Sequence, residues 1–152
     1  MMNEFDNLED LLGQTRELLI ENKNLSASDI RMYNPLVLAY IGDSVYDTFI
    51  RTMLVSGGSI QVNKLHKRAI KFVQAKAQAE ITEELHDILT EEEQDIVRRG
   101  RNTKSGSVPK NADINDYRYA TGFEALVGYL YLIGNTKRLI EIFELIAKMD
   151  RK

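Results

Sequence analysis

Apolar residues along this chain recur three and four positions apart, and no stretch alternates strictly with polar ones, so the pattern predicts helices and no sheet. Leu8, Leu11, Leu12, Leu18 and Leu19, with Thr15 between them, mark an amphipathic helix near residues 5–22. Asn34 followed by Pro35 reads as a cap with proline in the first turn, opening a helix that Gly57-Gly58 stops. A basic helix is expected over about 61–79, with Leu65, Ala69, Phe72 and Val73 as its buried stripe, followed by a shorter segment over 80–88. Thr90 and Glu93 form a capping box for a helix over about 91–100. Arg101 to Asn115 reads as a long polar loop, of a size that is usually functional or disordered. A helix from about Asp116 to Ile133 is closed by Gly134, and Asn135 or Thr136 caps a last one ending near Met149. The expected class is all-α, a helical bundle, with an N-terminal helical extension over 1–33 and the main domain over 34–152.

Two interruptions of this pattern carry chemistry. Leu36 to Ile41 are all apolar, which predicts a helix buried on most sides, and Asp43 follows directly as the only charge between Arg31 and Asp47. Gly42 before it costs a helix about 1 kcal/mol relative to alanine, which suggests close approach of another backbone. Glu124 is likewise the only charge between Tyr119 and Thr136. A carboxylate among apolar neighbours needs a cation, a base or a metal as partner. Taken singly, Asp43 could cap a kink and Glu124 could pair with Arg118 or Arg68; taken together they favour one shared cation. With no cysteine and only His66 and His86 in 152 residues, oxygen ligation suits Mg²⁺, with Mn²⁺ as a substitute. Asp47, one turn beyond Asp43, is a further candidate ligand, but Arg51 four residues on fits an ordinary helix pair. His86-Asp87 lacks partners for a metal site.

The absence of cysteine also excludes disulfide frameworks, zinc fingers, iron–sulfur clusters and thiol catalysis. No uncharged run approaches the ~20 apolar residues of a membrane span, and the acidic N-terminus is unlike a secretory leader, so a cytoplasmic protein without membrane contact is expected. The net charge of −3 conceals segregation: residues 61–76 hold 5 bases and no acid, 80–95 hold 8 acids and no base, and 96–110 hold 5 bases and no acid. Such blocks are either solvated helix faces or a phosphate-binding surface, and charge alone leaves both open.

Leu38-Ala39-Tyr40-Ile41-Gly42-Asp43-Ser44-Val45 resembles the signature helix of the ribonuclease III endonuclease fold, and Thr121-Gly122-Phe123-Glu124-Ala125-Leu126-Val127-Gly128 resembles its second acidic motif. Between them lie Arg98-Arg99-Gly100-Arg101-Asn102, Pro109-Lys110-Asn111 and Tyr117-Arg118-Tyr119 in matching order. The chain is thus similar, over about residues 34–150, to the Mini-III branch of that family, which has the catalytic domain alone. The resemblance implies a homodimeric, Mg²⁺-dependent endoribonuclease for double-stranded RNA, acting on the ends of the 23S ribosomal RNA precursor and leaving a 5′ phosphate. It implies Asp43 and Glu124 as catalytic metal ligands, and Tyr40 and Ile41 near a two-fold axis. Lys64, Lys67, Arg68 and Lys71, with Arg101, Lys104 and Lys110, are the expected RNA contacts, and the loop after Arg101 is expected to help choose substrate. Two further acids of the larger family members are replaced here by Ala39 and Thr121. A non-catalytic RNA-binding module of the same fold, associated with ribosomal particles, is the alternative.

Overall fold

A computed structural model describes residues 10–20, 23–104 and 108–149. In chain order the helices are α1 (Asp10–Leu19), α2 (Ala27–Arg31), α3 (Pro35–Ser56), α4 (Val62–Val73), α5 (Ala75–Leu85), α6 (Glu91–Asn102), α7 (Ile114–Leu132) and α8 (Thr136–Ala147), and no strand occurs among the described residues. The all-α bundle expected from the spacing is the one found.

The predicted caps form as read. Asn34 accepts from the Leu36 amide, and Thr90 and Glu93 exchange hydrogen bonds across the first turn of α6. Gly134, in the left-handed region at φ 77°, turns the chain out of α7, and Asn135 caps α8. Glu93 also holds α8 in place. Burial would raise its carboxyl pKa, but hydrogen bonds from Arg138 and from the Thr90 amide outweigh that and keep it low. Arg138 grips both Glu93 oxygens at 2.8 Å and the Ile88 carbonyl at 3.0 Å.

Four expectations need correction. The basic helix over 61–79 is broken at Gln74, whose extended backbone (ψ 153°) separates α4 from α5; no glycine or proline marks the break, because the Gln78 side chain takes the freed Val73 carbonyl. α7 begins at Ile114, since Asp113 caps the Asp116 amide. Ser26 and Asp29 cap a short α2 that the apolar spacing alone does not reveal. The leucine stripe of the first helix is not its buried side: Leu11, Leu12, Leu18 and Leu19 are exposed, and α1 docks instead through Arg16, whose Nε donates to the Leu132 carbonyl at 2.8 Å. Residues 5–9 and 21–22 of that predicted helix, and residues 105–107 of the loop, lie outside the described residues.

α7 is the central element, packed against α3, α5 and α6, and from Ala120 to Leu130 every residue but Glu124 is buried. Tyr46 and Phe123 meet edge to face at 4.9 Å, a geometry favoured by the ring quadrupoles. α3 and α7 touch backbone to backbone. A methyl group built on Gly42 would run into the Glu124 carbonyl, and one on Gly128 would run into the Leu38 carbonyl. The pairing of 42 with 124 and of 38 with 128 makes the two helices antiparallel.

Because those obstacles are main-chain atoms, they cannot rotate away. Gly42→Ala should destabilise the fold by about 3 kcal/mol or more, since overpacking a tight contact forces helices apart. Gly13→Ala in α1, where the same methyl meets nothing within 4 Å, should be neutral or slightly stabilising. Urea denaturation of the two variants beside the parent checks the contrast.

Candidate active site

The glycine crossing decides where the two isolated acids go. Asp43 follows the contact residue of α3, and Glu124 supplies the carbonyl that Gly42 faces, so the two carboxylates emerge at one helix junction. Burial first, and then repulsion from Asp43, push the Glu124 carboxyl up to about 7. Asp43, partly covered at its junction with α7 but open on its outer side, is also raised, by that partial desolvation and then by Asp47. Neither carboxylate has an ion-pair partner among the described residues, and the Arg118 or Arg68 pairing open to Glu124 in sequence does not form. Two acidic groups are held together without a cation of the chain's own, an arrangement that a divalent ion stabilises.

The donor set is small. Among the described residues no group of three or more His, Asp or Glu converges as a metal cage. At the positions that lack acids, Ala39 is buried and the Thr121 hydroxyl donates to the Tyr117 carbonyl of its own helix at 2.9 Å, so neither adds a charge. Asp47 is drawn to Arg51 at 2.9 Å. The residues fit an ion that keeps most of its ligands as water or phosphate oxygens, the habit of Mg²⁺.

One neighbour of Glu124 was not legible in the sequence. Gln78 of α5 is 2% exposed; its Nε2 donates to the Val73 carbonyl at 2.8 Å, and its amide also acts on Glu124 as a hydrogen-bonding partner that favours the charged carboxylate. Reading 61–79 as one helix hid it. Once α5 is seen to start at Ala75, Gln78 falls on the face of Ile81 and Leu85, a polar residue in an apolar stripe.

The basic residues separate into two settings. Lys64, Lys67, Arg68 and Lys71 are exposed along α4, which is pinned beside α3 by the Tyr46 hydroxyl donating to the Phe72 carbonyl at 2.9 Å. Lys104 and Lys110 are exposed on either side of residues 105–107. Arg101 is half-buried instead: its guanidinium lies 5.2 Å from the centre of the Tyr119 ring, in a cleft of about 860 Å³ that it shares with Glu80, Glu83, Asp95 and Asp116. His86 and Asp87 line the same cleft, apart from the two acids. Tyr40 is 82% exposed and Val37 51%, whereas Ile41 packs toward α7. The apolar run of α3 is therefore not buried on most sides within one chain.

Comparison with known proteins agrees with this arrangement. The ribonuclease III domain family matches residues 36–135. A Mini-ribonuclease 3 of Thermoanaerobacter sp. (strain X514) is 54% identical over 127 residues, 83% of this chain and 89% of that one. A Mini-ribonuclease 3 of Clostridium tetani is 50% identical over 128 residues, 84% of this chain and 85% of that one. A crystal structure of a Fusobacterium nucleatum protein superimposes with a TM-score of 0.70 at 31% identity, covering 79% of this chain and 96% of that one. With the helices, both acidic motifs and these relatives in agreement over most of its length, the chain belongs to the ribonuclease III family of endoribonucleases, in the branch of the Mini-ribonucleases 3.

Proposed function

We propose that this endoribonuclease cuts double-stranded RNA with Mg²⁺ held between Asp43 and Glu124, Mn²⁺ serving in its place, and that its substrate is the paired ends of the 23S ribosomal RNA precursor in the cytoplasm. The observation that carries the reading is the pair of carboxylates at the α3–α7 crossing, without a basic partner among the described residues, Glu124 being raised by burial and then by Asp43. A bound Mg²⁺ supplies Lewis-acid polarisation of a phosphate and a water of lowered pKa. The chain's own part is to hold the two acids rigid and to seat the duplex. Glu124 sits deep on α7, whereas Asp43 is open to solvent on α3, so substrate phosphate approaches from the Asp43 side. Phosphates are the contacts a helix rich in Lys and Arg can make with A-form RNA, whose deep groove excludes side chains. α4 runs beside the Asp47 end of α3, which it meets through Val62, Leu65, His66 and Ala69, and its exposed bases suit that role; Lys104 and Lys110 extend it, and Arg101, set among acids, contributes less charge.

A duplex has two strands to cut, and a homodimer offers two such sites. Tyr40, Val37 and the 77% exposed Met32 near the start of α3 form an apolar surface that supports self-association. Intact acids at both motif positions favour this enzyme over a non-catalytic RNA-binding module. A helix long and apolar enough to cross a membrane is absent among the described residues.

Three outcomes are expected. With duplex RNA and Mg²⁺, Asp43→Asn and Glu124→Gln should each lower the single-turnover cleavage rate by about 10³ or more while RNA binding persists, because transition-state charge stabilisation is removed; cleavage by both variants at the parental rate would sink the reading. The second concerns stability without metal. A carboxyl raised to about 7 from an ordinary 4.5 favours folding fully below pH 4.5, and that contribution is gone once pH passes 7. Glu124→Gln should therefore stabilise the metal-free protein by roughly 1–3 kcal/mol at pH 8 and by little at pH 5, as read by thermal melts. Third, Lys64→Ala with Lys67→Ala should weaken duplex binding at low salt and flatten the dependence of log Kd on log salt by roughly 1 for each phosphate-bound lysine removed, in filter-binding titrations.

A further inference from the structure

Gln78 has no place in the two acidic motifs, yet it is the buried polar side chain closest in effect to Glu124. One amide proton is donated to the Val73 carbonyl at 2.8 Å; on the face of α5 that packs against α7, the same amide neighbours Glu124 and favours its charged form, against the larger opposing effect of burial. Its Oε1 is buried and has no hydrogen-bond partner, the one such side-chain atom among the described residues. Exchanging the amide oxygen and nitrogen would not cure this, since it would aim an acceptor at the Val73 carbonyl and lone pairs at a carboxylate.

A side chain needed only to fill the core would not be built this way. Ile81 and Leu85 follow Gln78 on the same face and are fully apolar; the Val73 carbonyl calls for one amide proton, but nothing in the packing calls for an acceptor oxygen that stays buried without a donor. A residue that orients a metal ligand has reason to be polar here, because outer hydrogen bonds fix the rotamer and the charge of ligating carboxylates. The geometry points to Gln78 as the positioning residue for Glu124: anchored by Val73 at the joint between α4 and α5, its amide steers the carboxylate toward the shared cation and leaves Oε1 as an acceptor for a water carried by that cation. This rests on Glu124 being a metal ligand. It also ties the end of the basic helix α4 to the metal site through one side chain, so the two halves of the proposed RNA-cutting face share an anchor.

The test measures binding of Mn²⁺ alone by isothermal titration calorimetry, cleavage of duplex RNA in Mg²⁺, and thermal melting, for the full chain carrying Gln78→Leu, Gln78→Met or Glu124→Gln. Leucine and methionine both suit a buried site, so one variant decides the question should the other fold poorly. Gln78→Leu is expected to weaken Mn²⁺ binding about tenfold or more and to lower kcat by a similar factor, with KM for RNA within about twofold of the parent, whatever melting temperature is lost with the bond to the Val73 carbonyl. A role confined to packing and to the Val73 carbonyl predicts a lower melting temperature with Mn²⁺ affinity and kcat intact, and would overturn the inference. So would parental metal binding and kcat in a well-folded Gln78→Leu. Should Glu124→Gln itself cut RNA and bind Mn²⁺ normally, the metal-site reading fails first, and that result is distinct from normal behaviour of the Gln78 variants beside an inactive Glu124→Gln.

Discussion

The structure turns on a contact between two main chains. At the α3–α7 crossing, Gly42 and Gly128 let each helix lay its backbone on the carbonyls of the other, with no side chain between them. Helices this close leave little room for adjustment, since close-packed interiors transmit displacement and do not absorb it. The two acids proposed to hold the metal sit at that contact: Asp43 is the next residue after Gly42, and Glu124 contributes the carbonyl that Gly42 faces. Their separation is therefore set by backbone, which is stiffer than any packing of flexible side chains. A second crossing of the same kind, Gly100 of α6 against Gly122 of α7, holds the other flank of α7.

This rigidity serves an electrostatic end. Burial first, and then the nearby Asp43 with no base to offset it, disfavour charge on Glu124, which is why its carboxyl stays protonated to higher pH than usual. The chain tolerates this because the rest of α7 is apolar and well packed, from Phe123 against Tyr46 to Ala125, Leu126 and Val127 in the core. At Glu93, by contrast, buried charge is neutralised in full, by Arg138 and by the amide of the capping Thr90. Set against that pair, Asp43 and Glu124 stand out as acids without an ion-pair partner among the described residues, the feature on which the proposed metal site rests. Gln78 fits the same logic, as a buried amide whose oxygen has no donor among the described residues.

The resemblance to ribonuclease III accounts for two acids and is silent on how a site without the other two keeps its shape. Thr121 turns its hydroxyl back onto α7, and Ala39 is buried, so the missing charge is not made good at the same positions. Support comes from α5 instead, through an uncharged amide. An amide can hold a carboxylate without adding to the repulsion that a third acid would bring.

The class of fold, most helix ends and the two acids were legible from the sequence alone, because caps such as Asn34-Pro35 and Thr90/Glu93 are local chemistry, and because a lone Asp or Glu among apolar residues is anomalous wherever it occurs. Spacing could not reveal the break at Gln74, the outward-facing leucines of α1, or Arg101 lying on Tyr119. Each of these depends on which surfaces meet, and a helical period reports only which residues share a face. Gln78 makes the point at one residue: glutamine is ordinary on any helix, and only the packing of α5 against α7 puts this one beside Glu124.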